Sequence, residues 1–282
     1  MPKVAIVTDS TAYIPEKMVK EYSISVAPQV LIWGEEIYED GVDIFPDEFY
    51  SRLANTDIMP TTSQVTPKSF EKIFSNLLAH DFEILAILVS DLLSGTIGSA
   101  IQVKEGLPEA PIEIVNSQTV AMSLGFQALQ AARAAADGAS LAECKQIAEQ
   151  ARNHVGVVFA VDTLEFLHRG GRIGGASRFL GAALNLKPIL EVTEGKIEAI
   201  ERVRTRKKSL NRLVELVEER LSGVEPVRIA SLHANAPEDA QYLLEMSVEK
   251  FNPVETIFSE VSPVVGTHAG PGTVGLAYCA GM

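Results

Sequence analysis

The chain reads as an α/β protein. A mostly parallel N-terminal sheet with helices on both faces is expected to pack on a C-terminal α+β domain with a mixed or antiparallel sheet. Three observations predict this. Short apolar runs of strand type alternate with helix-type spacing from Lys3 to Ala136, the pattern of repeated strand–helix units. The run Ile84–Ser90 is almost wholly apolar, as in a strand buried on both faces. Beyond His154-Val155 the rhythm changes to hairpins mixed with helices. A chain of 282 residues is long enough for two domains of ordinary size, here 1–154 and 155–282.

Each element has a local reason. Lys3–Thr8 is a short apolar run of β type, and Pro15–Tyr22 has helical spacing with proline in the first turn. Val26–Ile32 and Glu36–Tyr38 flank Trp33-Gly34, a hairpin signal. Pro46–Ala54 reads as helix, and Thr66-Pro67 opens another with threonine as N-cap and proline at N1. A helix should start near Gly95 or Thr96. Ile112–Asn116 is a strand and the alanine-rich Val120–Ala136 a helix ended by Asp137-Gly138. Ser140-Leu-Ala-Glu143 is a capping box for the next helix. In the second half, Val157–Val161 is a strand, followed by helices at Thr163–His168 and Ser177–Leu184. Ile189–Thr193 and Lys196–Val203 flank the turn Glu194-Gly195. Ser209–Leu221 is helix, Val227–His233 strand, Pro237–Phe251 helix, and Val254–Glu260 and Val274–Cys279 are strands.

Bulk properties exclude several functions. The net charge of −13 opposes nucleic acid, whose binding needs a cationic face, and an anionic membrane. An anionic ligand must therefore be held by local positive groups and oriented dipoles. The two cysteines, Cys144 and Cys279, form no CxxC pair, so neither a disulfide framework nor a structural zinc site is expected. No signal-peptide pattern follows Met1, and no apolar run approaches the roughly 18 residues of a membrane span. The reading is a cytoplasmic protein without metal or cofactor.

Polar motifs in distant parts of the chain suit a carboxylate. Leu93-Ser94-Gly95-Thr96 follows the buried strand Ile84–Ser90, where open α/β sheets place ligands and where a helix start directs free N–H groups. Ser94 would donate there, or serve only as an N-cap. Thr61-Thr62-Ser63-Gln64 is a donor-rich loop between two helices. His268 sits in Gly266-Thr-His-Ala-Gly-Pro-Gly272, read as a rigid loop presenting one imidazole. Gly270-Pro-Gly-Thr-Val-Gly275 matches GxGxxG, but no βαβ unit can follow it and no acidic residue stands about 20 positions on. Arg169-Gly-Gly-Arg172 carries two guanidiniums around a turn, and Arg202-Val-Arg-Thr-Arg-Lys-Lys208 is the one strong basic cluster. Asp9-Ser10-Thr11 is read as mainly structural, through local side-chain turns.

Taken together, Thr8-Asp-Ser-Thr11, Thr62-Ser-Gln64, Ser94-Gly-Thr96, Asp162–Ile173, Lys187-Pro-Ile-Leu190, Arg202-Val-Arg-Thr-Arg206 and Gly266–Gly272 resemble the DegV family along nearly the whole chain. The resemblance implies a two-domain protein that buries one long-chain fatty acid between its domains. It puts Thr62, Ser94 and His268 on the carboxylate, with Gly95 and Thr96 beside them and Arg169 nearby. It also implies a bacterial two-component fatty acid kinase. A separate ATP-binding subunit would phosphorylate the bound acid, and the acyl-phosphate would feed phospholipid synthesis. Arg202, Arg204 and Arg206 would face that kinase. Two positions depart from the family pattern: His168 replaces a basic residue before Arg169, and Tyr13 replaces an acidic one.

On this reading the acyl chain supplies affinity and neutral donors keep the carboxylate nucleophilic. The alternative is a lipid esterase with Ser94 as nucleophile and His268 as base. It lacks a GxSxG elbow and an evident orienting acid.

Overall fold

The computed structural model describes residues 3–180 and 186–282. In chain order the first part contains β1 (Lys3–Asp9), α1 (Glu16–Glu21), β2 (Ser25–Ala27), β3 (Val30–Trp33), β4 (Glu36–Glu39), α2 (Pro46–Leu53) and β5 (Thr61–Ser63). Then come α3 (Pro67–Leu78), β6 (Phe82–Leu88), α4 (Thr96–Glu105), β7 (Ile112–Asn116), α5 (Ala121–Ala136) and α6 (Leu141–Ala151). The remainder is β8 (Val155–Ala160), α7 (Glu165–Arg169), β9 (Lys187–Thr193), β10 (Lys196–Val203), α8 (Arg206–Leu221) and β11 (Val227–His233). Finally come α9 (Pro237–Phe251), β12 (Glu255–Glu260), α10 (Pro263–Ala269) and β13 (Val274–Ala280).

The expected fold class is present. Four parallel strands form a sheet in the order β2-β1-β6-β7, with Val7 opposite Ala86. Six strands form a mixed sheet in the order β10-β9-β8-β13-β11-β12, antiparallel except for β11 beside β12. A small antiparallel sheet, β4-β3-β5, completes the set.

Side-chain alternation shows how the layers stack. Along β6, Ile84, Ala86 and Leu88 join the cluster built on Phe70 and Phe74 of α3, while Leu85, Ile87 and Val89 face the opposite way. Along β13, Val274 and Leu276 face Leu213 and Val217 of α8, while Ala277 and Cys279 point towards the first sheet. Both inward faces meet in one core that contains α5. This helix is buried almost all round from Ala121 to Ala132, as a helix between two sheets must be. The alanine-rich composition follows, because small side chains let both sheets approach.

Several local expectations need correction. The stretch expected as one strand from Val26 to Ile32 divides at Pro28-Gln29: β2 pairs in parallel with β1, and β3 turns into a hairpin with β4. Proline offers no N–H for a continuing ladder. Thr61–Ser63, expected as loop, is a strand that pairs with β3. The Gly266–Gly272 loop is in fact largely helix, since Pro263 begins α10 and His268 lies in its last turn. Of the expected helix Ser177–Leu184, Ser177–Phe179 belong instead to a 3-10 turn at Gly174–Phe179, and residues 181–185 lie outside the described residues.

Candidate ligand-binding site

Beyond the N-terminus of α5, the layer between the two large sheets opens into a cavity of about 920 Å³, its mouth included. Val89, Ala121, Val157, Phe159, Leu167 and Leu232 form much of an apolar wall. Thr62, Ser94, His268 and Arg172 also line it. These four are only half-buried, whereas most of the apolar wall is buried, so the polar end faces solvent.

Thr62 is the central residue of β5, and its register with Leu31 fixes its position. Its Oγ1 lies 2.8 Å from His268 Nε2. The pairing joins segments 206 residues apart and brings α10 against β5. Burial first, and the Arg172 charge second, press the His268 pKa from 6.5 down to about 4. The imidazole is therefore neutral at pH 7, with one proton shared between two ring nitrogens. Ser94 precedes α4, whose N-cap is Gly95, so Ser94 is not the cap. Its Oγ lies 2.9 Å from Thr96 Oγ1. Thr96 is fully buried and bonded in turn to Gln29, which also lines the cavity.

Arg172 donates from Nε to Leu93 O at 3.0 Å and from Nη1 to Gly170 O at 2.7 Å. Carbonyls hold its geometry and leave its charge uncancelled. The site thus offers hydroxyls, a neutral imidazole and one cation beside apolar walls. That set suits a monoanionic head group on an apolar body.

The sequence matches the model for the family described as uncharacterised proteins of the DegV family over residues 3–281. The chain belongs to the DegV family. Relatives of this DegV chain include Protein DegV of Bacillus subtilis, 34% identical over 278 residues, covering 98% of this chain and 99% of that one. A DegV domain-containing protein of Streptomyces coelicolor is 36% identical over 275 residues, 97% of each chain. Among solved structures, a fatty-acid-binding DegV family protein from Thermus thermophilus superposes with a TM-score of 0.93 at 31% identity, covering 99% of both chains. DegV of Bacillus subtilis, described as a fatty acid binding protein, gives 0.90 at 33% identity over 99% of this chain and all of its own.

Within this DegV fold the sequence-expected residues divide. Thr62, Ser94 and His268 converge on the cavity, with Thr96 directly behind Ser94. Gly95 lies beneath the Gln64 side chain, which a Cβ would strike. Arg169 does not line the cavity. Its exposed guanidinium pairs with Glu165 one turn back at 2.5 Å, and Arg172 occupies the position expected for it. Gly171, at φ 70°, reverses the chain between the two arginines and sends them to different sides. The esterase constellation is not assembled: Ser94 pairs with Thr96, His268 with Thr62, and no hydrogen bond joins Ser94 to His268 among the described residues. His268 Nδ1 has no carboxylate partner to orient it.

The basic segment is also divided. Arg202 is exposed with its guanidinium 4.7 Å from the Phe179 ring centre, and Arg204 is exposed. Arg206 bonds Asp239 at 2.7 Å and lies 3.8 Å from Asp162, tying α8 to α9. Asp9 has the structural role expected of it. It accepts from Thr11 N–H, Thr11 Oγ1 and Val89 N–H, which joins the ends of β1 and β6.

Gly170 is required by close approach, since a Cβ there would collide with the His268 ring. Replacing it with alanine should swing the imidazole towards solvent and return its pKa by at least about one pH unit towards 6.5. An NMR pH titration of the His268 ring protons measures this. An unchanged midpoint would place the ring elsewhere.

Proposed function

We propose that the protein binds one long-chain fatty acid, with its chain in the cavity and its carboxylate on Thr62, Ser94, His268 and Arg172. One observation carries this reading. Polar groups from four separate segments gather at the solvent end of a largely apolar cavity. The solved relatives described as fatty acid binding support it. Each buried methylene contributes about 0.8 kcal/mol, so a chain of a dozen or more outweighs the cost of ordering it. The half-buried head group needs bonded partners, because taking an unpaired carboxylate even partly out of water is costly. In this reading residues 1–154 and 155–282 act as two domains with the ligand between them.

The accessible carboxylate suggests the next step. A separate ATP-binding kinase subunit in the cytoplasm would transfer phosphate to it, giving an acyl-phosphate for phospholipid synthesis. This chain would then be the substrate-carrying subunit and not itself the enzyme. Arg172 would offset the growing charge, and Arg202 and Arg204 would dock the kinase. Among the described residues no helix is long and apolar enough to cross a membrane.

Mass spectrometry of an organic extract of the purified protein tests the binding step. One fatty acid per protein is expected. A lipid-free protein that palmitate or oleate fails to stabilise in thermal melts would refute it.

A further inference from the structure

We propose that Gln29 sets the direction of a buried hydrogen-bond chain and thereby makes Ser94 a donor to the ligand head group. The inference rests on the fatty acid reading and deepens it. Gln29 lies in the break between β2 and β3 and is only 2% exposed. Its Nε2 donates to Thr96 Oγ1 at 2.9 Å. The backbone N–H of Val65 donates to the same oxygen at 3.4 Å.

A hydroxyl has one proton and two lone pairs. With both lone pairs of Thr96 occupied, Ser94 cannot donate to it. The Ser94–Thr96 contact of 2.9 Å therefore runs from the Thr96 proton to Ser94 Oγ. Gln29 Oε1, 3.2 Å from Thr96 Oγ1, is the poorer acceptor for that proton. The Ser94 proton is left free, and Ser94 lines the cavity.

A flipped amide would reverse this order. Oε1 would then take the Thr96 proton, Thr96 would have a lone pair free, and Ser94 would spend its proton inside the protein. The contacts oppose the flip, because Nε2 is the amide atom nearer to Thr96 Oγ1, at 2.9 Å against 3.2 Å for Oε1. Polarity thus runs from Gln29 through Thr96 to Ser94. Gln29 is a positioning residue for a carboxylate: it fixes which partner Ser94 can serve without touching the head group's charge itself.

The test is a double-mutant cycle read by palmitate and hexadecanol binding to delipidated protein. Gln29→Met keeps the length and removes the amide. It should weaken palmitate about 10-fold, and Ser94→Ala should do at least as much. The double variant should match Ser94→Ala within about twofold, because Gln29 acts only through Ser94. Hexadecanol, which can itself donate to Ser94, should shift less than threefold in Gln29→Met. Additive losses, equal losses for both ligands, or full palmitate affinity in Gln29→Met would each overturn the proposal. Thr96→Val, close in shape and without the hydroxyl, runs the same cycle where Gln29→Met does not fold. Wild-type protein that binds no palmitate refutes the fatty acid reading itself. Binding that Ser94→Ala weakens without coupling to position 29 refutes only the role of Gln29.

Discussion

Removing both hydroxyls at the polar end, Thr62→Ala together with Ser94→Ala, should lower affinity for a long-chain fatty acid by about 10²–10⁴-fold. Hydrogen bonds to a charged group contribute about 1.5–3 kcal/mol each, and two are lost. Thr62→Ala also strips His268 Nε2 of its hydroxyl partner, 2.8 Å away. Arg172 remains and keeps part of the binding, since its guanidinium is anchored by Leu93 O and Gly170 O and not by either hydroxyl. The methyl ester of the same acid, with no charge to satisfy, should lose less than about fivefold. Isothermal titration with the two ligands separates the effects. Parallel losses for acid and ester would mean that the substitutions deform the apolar wall, and that the carboxylate sits elsewhere.

Much of this architecture can be read locally, and the exceptions share a cause. Ser140 and Glu143 form the expected capping box, and Thr66 caps α3 through Ser69 N–H, because both signals act within one turn. The hairpin at Gly195, where φ is 78°, is equally local. Thr62, Ser94 and His268 were legible as donors, but their convergence depends on two sheets sharing one core around α5. No spacing along the chain encodes that. Arg169 and Arg172 look equivalent in sequence and are separated by the reversal at Gly171. The Pro263 start of α10 was available as a helix signal, but the glycines around His268 outweighed it. Gln29 carries no motif. Its importance appears only where its amide and Val65 N–H both meet the Thr96 hydroxyl.

The site and its support should also leave opposed marks on acid stability. His268 is held near a pKa of about 4 against 6.5 when free. Between these values the unfolded chain binds more protons, so this residue's contribution is complete above 6.5 and is lost as pH falls towards 4. Asp40 behaves in the opposite sense. Burial raises its pKa from 3.8 to about 6, although Ser10, Ser262 and the Val264 N–H favour the charged form. Asp9 adds repulsion, and the charge also bears on the buried Tyr13 and Tyr50 hydroxyls. Here the folded state binds more protons between 3.8 and 6, so stability declines as pH rises through that window. Each effect amounts to about 3 kcal/mol at full extent, at ~1.4 kcal/mol per pH unit. They nearly cancel between pH 4 and 6. Asp40→Asn removes one side of the balance. Its amide can still accept from Ser10 and carries no charge to bury, so at pH 7 the variant should be more stable than wild type, by about 1–3 kcal/mol. Relative to wild type it should then lose that advantage on acidification from pH 6 to 4. Urea melts at pH 4.5, 5.5 and 7 read the difference directly, since the other carboxylates are common to both proteins. A constant gap between the two curves would mean that Asp40 does not titrate in this range, and that the charge beneath α10 is fixed.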